Sequence, residues 1–116
     1  MRRLIALSLL AWTAPMAAMA ADAARGARLY HDDGCFQCHG TNGQGGAAPT
    51  LAPPATPSAE RIAAYIRKPT GEMPPYNARV LDDAAVADIR AYLGTLATAP
   101  DPASLDQLKW AQGGGR

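Results

Sequence analysis

The only two cysteines of this 116-residue chain stand two residues apart and run straight into a histidine, Cys35-Phe36-Gln37-Cys38-His39. That is the attachment pattern of a c-type haem. The spacing has a physical reason. Two intervening residues in a tight helical turn let both thiols face the two vinyl groups on one edge of the porphyrin. The next residue then carries an imidazole beneath the ring toward iron. Three other chemistries use the same residue types. A thioredoxin-like redox pair sits beside a βαβ pattern, which is missing here. A zinc site would need Cys35, Cys38, His39 and His31 together, and adjacent Cys38 and His39 can hardly fill two corners of one tetrahedron. A disulfide across so short a loop would constrain the unfolded chain very little. The residues favour one covalently attached haem c, with Cys35 and Cys38 as thioether anchors and His39 as an axial ligand.

A haem iron needs a second axial ligand. Of the four methionines, Met1, Met16 and Met19 fall in the first 20 residues, and only Met73 lies beyond them. It sits in Gly71-Glu72-Met73-Pro74-Pro75-Tyr76, a stretch too rich in glycine and proline for a helix. A loop at that distance from His39 can pass over the opposite haem face. The prolines preset φ and restrict how the thioether is presented. His31, four residues before Cys35, cannot readily cross to that face and reads as a solvated residue near a helix end. His39 and Met73 are therefore the expected axial pair, a ligation that raises the reduction potential. With both positions filled by protein, the iron can only exchange electrons. No paired carboxylates and no nucleophile–base arrangement stand out, so no catalytic residue is expected. Glu72, Arg67 and Lys68 read as solvated side chains, although one of the two cations could pair with a haem propionate.

The elements that must position these residues start after a leader. Arg2 and Arg3 form a basic n-region, Leu4 to Trp12 an apolar h-region, and Ala18-Met19-Ala20 a small-x-small cleavage site. Residues 1–20 are thus expected to be a cleaved secretory signal peptide, placing the protein in the periplasm. The apolar run is too short to span a bilayer comfortably, and no stable membrane span is expected in the mature protein. Cleavage removes two of the 11 basic residues and none of the 10 acidic ones, leaving a net charge of −1. No basic patch remains for nucleic acid. Alanine contributes 26 residues, so the 48% apolar content overstates the core. A chain this short has room for one domain and often needs a cofactor or staple to hold it. Scattered β-branched residues argue against a large sheet.

Helical signals punctuate residues 21–99, the expected domain. Asp22 can cap a first helix running to about His31. Ser58 can cap a second, with Ile62, Tyr65 and Ile66 on one face, ending before Pro69. Asp82 or Asp83 can start a third, with Val86, Ile89, Tyr92 and Leu93 at helical spacing and Gly94 as its stop.

Cys35-Phe36-Gln37-Cys38-His39-Gly40, the glycine-rich Gly43-Gln44-Gly45-Gly46 and the later Met73-Pro74-Pro75-Tyr76 together resemble the small class I cytochromes c. The resemblance runs from about Ala23 to Leu96. It implies an all-α fold of three to four helices wrapped around one covalently bound haem. It also implies that Gly26 and Tyr30 lie on the face of the first helix that packs across the last, near Tyr92 and Leu93. Pro49 matches the proline whose carbonyl accepts a hydrogen bond from the ligand histidine, which fixes imidazole orientation and basicity. Leu51 matches an apolar residue packed on the haem. A weakly polar edge framed by Phe36, Gln37, Ala47 and Pro74 would suit brief redox docking.

Residues 100–116 depart from the family's minimal pattern. Pro100 and Pro102 end the domain, and Ser104-Leu105-Asp106-Gln107 reads as a capping box into a short amphipathic helix carrying Trp110. The leading functional expectation is a periplasmic electron carrier between redox donor and acceptor proteins, a periplasmic dehydrogenase and a terminal oxidase or other cytochrome. The alternative is a dedicated cytochrome subunit of a periplasmic dehydrogenase complex, with the tail as its docking element. A haem-based ligand sensor or peroxidase, in which Met73 leaves the iron, ranks last.

Overall fold

The structure, a computed structural model, describes residues 20–98 and Ser104. The expected leader, apart from Ala20, and the tail helix with Trp110 lie outside the described residues. Four helices and no strand occur among the described residues, as the all-α expectation requires: α1 Ala23–Asp32, α2 Phe36–His39, α3 Ala59–Arg67 and α4 Asp83–Thr95.

Each longer helix starts where a short polar side chain can satisfy its free N–H groups. Asp22 accepts from the Ala24 and Arg25 amides at 2.9 and 3.0 Å. Ser58 accepts from Arg61 at 3.3 Å, and Asp82, rather than Asp83, from Ala85 at 2.7 Å. Such caps are worth about 1 kcal/mol each. Asp83 instead lies in the first turn of α4, where a negative charge suits the helix dipole. α3 ends at Arg67, short of Pro69. Gly94 does not stop α4, which continues to Thr95 with Leu96 as its C-cap. A glycine ends a helix by turning left-handed, and Gly94 is not among the glycines with positive φ.

α1 and α4 cross in direct backbone contact. A Cβ at Gly26 would overlap the Asp88 carbonyl and come within 2.8 Å of the Ile89 nitrogen. Beside the crossing, Asp88 is buried, accepting from the Asp22 amide at 2.7 Å and the Arg25 guanidinium at 2.5 Å. Further along, Tyr30 is fully buried with its ring 5.6 Å from that of Tyr92, and Leu81, Val86 and Leu93 complete the driest part of the core. Ile66 from α3 and Ile89 from α4 extend this cluster toward the cavity described below. Burying each large side chain is worth roughly 1.5–3 kcal/mol, and there are few of them. Ile62, Ile66, Leu81, Ile89 and Leu93 also face a space that the chain itself does not fill.

Candidate functional site

The segment carrying the two thiols begins in helical geometry. Cys35 has αR torsions and leads into the single turn α2, which ends at His39 with Gly40 as its C-cap. The chain then doubles back. The Gly45 amide donates to the His39 carbonyl at 2.8 Å, and the Ala48 amide to the Cys38 carbonyl at 3.0 Å. A second anchor is the Gly43 carbonyl, which accepts from the Leu51 and Ala52 amides at 2.8 and 2.9 Å and from the Thr50 hydroxyl at 2.9 Å. Gly43 has φ +63°, and a Cβ there would crowd the Ala52 nitrogen and Leu96 at 3.2 Å. This folded-back loop brings the Pro49 carbonyl to 2.8 Å from His39 Nδ1. A carbonyl only accepts, so Nδ1 carries the proton and the Nε2 lone pair is left available. Behind the turn, the Tyr30 hydroxyl donates to the Gly40 carbonyl at 2.7 Å.

The two thiols differ. Cys38 is exposed; Cys35 is half-buried against the core, and burial, reinforced by the Asp33 charge, pushes its thiol up to about 11. They are not bonded to each other.

Met73 arrives on an irregular segment and packs half-buried against the core cluster. Three residues on, Tyr76 returns the chain to α3: its amide donates to the Ile66 carbonyl at 2.8 Å. Its hydroxyl donates to the Asp33 carbonyl at 2.5 Å, and burial raises its pKa.

A cavity of about 1210 Å³ lies between these segments, and Cys35, Cys38, His39, Pro49, Leu51 and Met73 all line it. Ile62, Ile66, Leu81, Ile89 and Leu93 give it apolar walls. It exceeds the roughly 300–1,000 Å³ of ordinary small-molecule sites. Three sequence expectations change. His31 is half-buried rather than solvated, its ring 5.0 Å from that of Phe36 and 5.8 Å from that of Tyr30. Phe36 consequently turns away from the cavity edge, whereas Gln37, Ala47 and Pro74 are exposed at it. Arg67 is no free surface cation: it donates to the Tyr76 and Leu81 carbonyls at 2.9 and 2.7 Å and reaches Asp83 at 3.2 Å. Of the two neighbouring cations only Lys68 lines the cavity, joined there by Arg61. Among the described residues no three His, Cys, Asp or Glu side chains gather as a metal-ion cluster, so the zinc alternative has no geometry behind it.

Over residues 21–93 the chain matches the family model described as cytochrome c oxidase, cbb3-type, subunit III. The chain belongs to this cytochrome c family. Its chemistry is haem-based electron transfer, with haem c bound covalently to the chain. No curated protein and no solved structure matches it. The residues present in this cytochrome suit that group: two unpaired thiols, an imidazole with a free nitrogen, a thioether and an apolar enclosure meet at one cavity. No helix among the described residues is long and apolar enough to cross a membrane.

Proposed function

We propose that this cytochrome is a periplasmic electron-transfer protein carrying a single haem c, anchored by Cys35 and Cys38 and ligated by His39 and Met73. The observation that carries this is the meeting of both thiols, the imidazole and the only methionine beyond residue 20 at one cavity. Haem supplies a one-electron site that cycles between two iron oxidation states. The chain's own residues tune and guard it. Pro49 holds the His39 ring by Nδ1 and thereby fixes which nitrogen faces iron. Ile66, Leu81 and Leu93 keep water from the ring, which favours the iron state of lower charge and adds to the effect of a thioether ligand on potential. Arg61 and Lys68 line the same cavity and would supply the cations for propionate charge. Gln37, Cys38, Ala47 and Pro74 leave an uncharged edge exposed for short-lived contact with a donor or acceptor.

With His39 and Met73 as its two protein ligands the iron would offer no place for substrate, and the chain would be a carrier rather than a catalyst. The name of its family favours a respiratory electron acceptor, either met by diffusion or built into the same complex. That second arrangement would make this chain a dedicated haem subunit, with residues 100–116 as the element that docks.

Carbon monoxide binding to the reduced holoprotein tests the ligand set. Wild type should bind it slowly or not at all, whereas Met73→Ala should bind it readily, with the haem still attached. Rapid binding by untreated wild type would sink the carrier role. Gentle isolation from the host periplasm separates the two arrangements: a stoichiometric larger subunit eluting with it identifies a complex, and elution alone a free carrier.

A further inference from the structure

Every polar group of Tyr76 is committed, two to the end of α3 and one to the turn before Cys35. Its amide goes to the Ile66 carbonyl of α3 at 2.8 Å. Its carbonyl takes a hydrogen bond from Arg67 Nη1 at 2.9 Å. Its hydroxyl crosses to the Asp33 carbonyl at 2.5 Å, a contact between residues 43 apart in sequence. Asp33 lies two residues before Cys35, so this one bond ties the segment carrying Met73 to the turn carrying both thiols and His39. Arg67 braces the same corner through Nη2, which reaches the Leu81 carbonyl at 2.7 Å.

The connection from Tyr76 back to Met73 is short and stiff. Only Pro74 and Pro75 intervene, each with φ fixed by its ring and each restricting the residue before it. A displacement at Tyr76 therefore passes to Met73 instead of being absorbed by loose torsions. Neither helix nor strand holds the segment from Gly71 to Tyr76 in place.

We infer that Tyr76 is a positioning residue for the sixth iron ligand: its hydroxyl, bonded to the Asp33 carbonyl, keeps the Met73 side of the cavity closed on the His39 side. This rests on Met73 as an axial ligand and adds the group that holds it there.

The test uses the full-length holoprotein and imidazole as the probe ligand of the ferric iron. Tyr76→Phe removes one oxygen and leaves the ring packed. It should tighten imidazole binding about fivefold, the worth of one net intramolecular hydrogen bond. It should also weaken the long-wavelength absorption band of methionine-ligated ferric haem while leaving the haem attached. Val86→Ala, a core truncation with no bond to the Met73 segment, controls for general softening and should move neither readout. Unchanged imidazole affinity in Tyr76→Phe, or an equal gain in Val86→Ala, would overturn the inference. Met73→Ala distinguishes the two levels. If it opens the iron while Tyr76→Phe does not, only the positioning role falls. If wild type already binds imidazole as well as Met73→Ala does, the axial ligand assignment falls and takes this inference with it.

Discussion

The two sides of the cavity are built by opposite means. On the His39 side the chain is held by its own backbone: the Gly45 and Ala48 amides return to the His39 and Cys38 carbonyls, and the Gly43 carbonyl gathers three donors. Its partners are near in sequence, so that side is a compact loop whose geometry is set locally. On the Met73 side local bonds are scarce. Prolines stiffen the segment, and partners outside it, Asp33 at 43 residues away and the end of α3, fix where it lies. A ligand that must not move is best placed by dense local bonding. With Met73 as the proposed ligand, a side held by a few contacts to other elements would be the one through which ligation is tuned.

Removing the haem anchors should have the largest effect. In Cys35→Ala combined with Cys38→Ala no thioether can form, and about 1210 Å³ of largely apolar enclosure is left without its contents. Most of the helical circular dichroism should be lost, since the remaining core is small for a stable domain. An apoprotein that keeps full helicity would show that both sides stand without the cofactor, and the contrast between them would lose its energetic basis.

A pair of glycines sharpens the comparison at a smaller scale. Gly43 and Gly71 both have positive φ, at +63° and +68°, one on each side. A Cβ at Gly43 would press on the Ala52 nitrogen and Leu96 at 3.2 Å, whereas at Gly71 it would meet nothing within 4 Å. Alanine at either position carries the left-handed penalty of about 1–2 kcal/mol, and Gly43→Ala adds crowding of about 1 kcal/mol or more. Denaturant titration should therefore rank Gly43→Ala clearly below Gly71→Ala. Equal losses would mean that the His39 loop yields as easily as the Met73 segment.

The last effect is confined to alkaline pH and vanishes near neutrality. Burial pushes Tyr30 up to about 12 from an ordinary value near 10, its hydroxyl facing the Gly40 carbonyl behind His39. Folded protein holds this proton after the unfolded chain has released it, so stability is intact below pH 10 and is lost as pH rises toward 12. Tyr30→Phe should flatten that alkaline decline in thermal melts recorded between pH 9 and pH 12. The same decline in both proteins would assign it to another group.

Much of this was legible from residue types. Asp22, Ser58 and Asp82 announce helix starts because an N-cap needs only its own side chain and the next turn. The Cys35-to-His39 motif is legible for the same reason, its function being contained in five residues. What escaped depends mostly on how the chain folds back beyond the next helical turn. Arg67 looks like a surface cation until the chain returns and sets the Tyr76 and Leu81 carbonyls before it. Asp88 sits on the apolar face of α4, where its burial makes sense only with Asp22 and Arg25 opposite. His31 reads as solvated because nothing local shows Phe36 folding onto it. Gly94 carries the residue type of a stop without the torsion that makes one.

The crossing at Gly26 and Asp88 also has a mechanical meaning. It joins the first helix of the domain to the last, through a bond between residues 66 apart, and all that lines the cavity except Ile89 and Leu93 belongs to the loop so closed. The chain is a ring with a clasp. Tension applied at the two ends of the domain would reach that clasp before it reached the segments carrying Cys35, His39 and Met73. Folding runs the same constraint in reverse: the clasp is a contact of long sequence separation, slow to close by chance, and ordering the chain between its halves shortens the search.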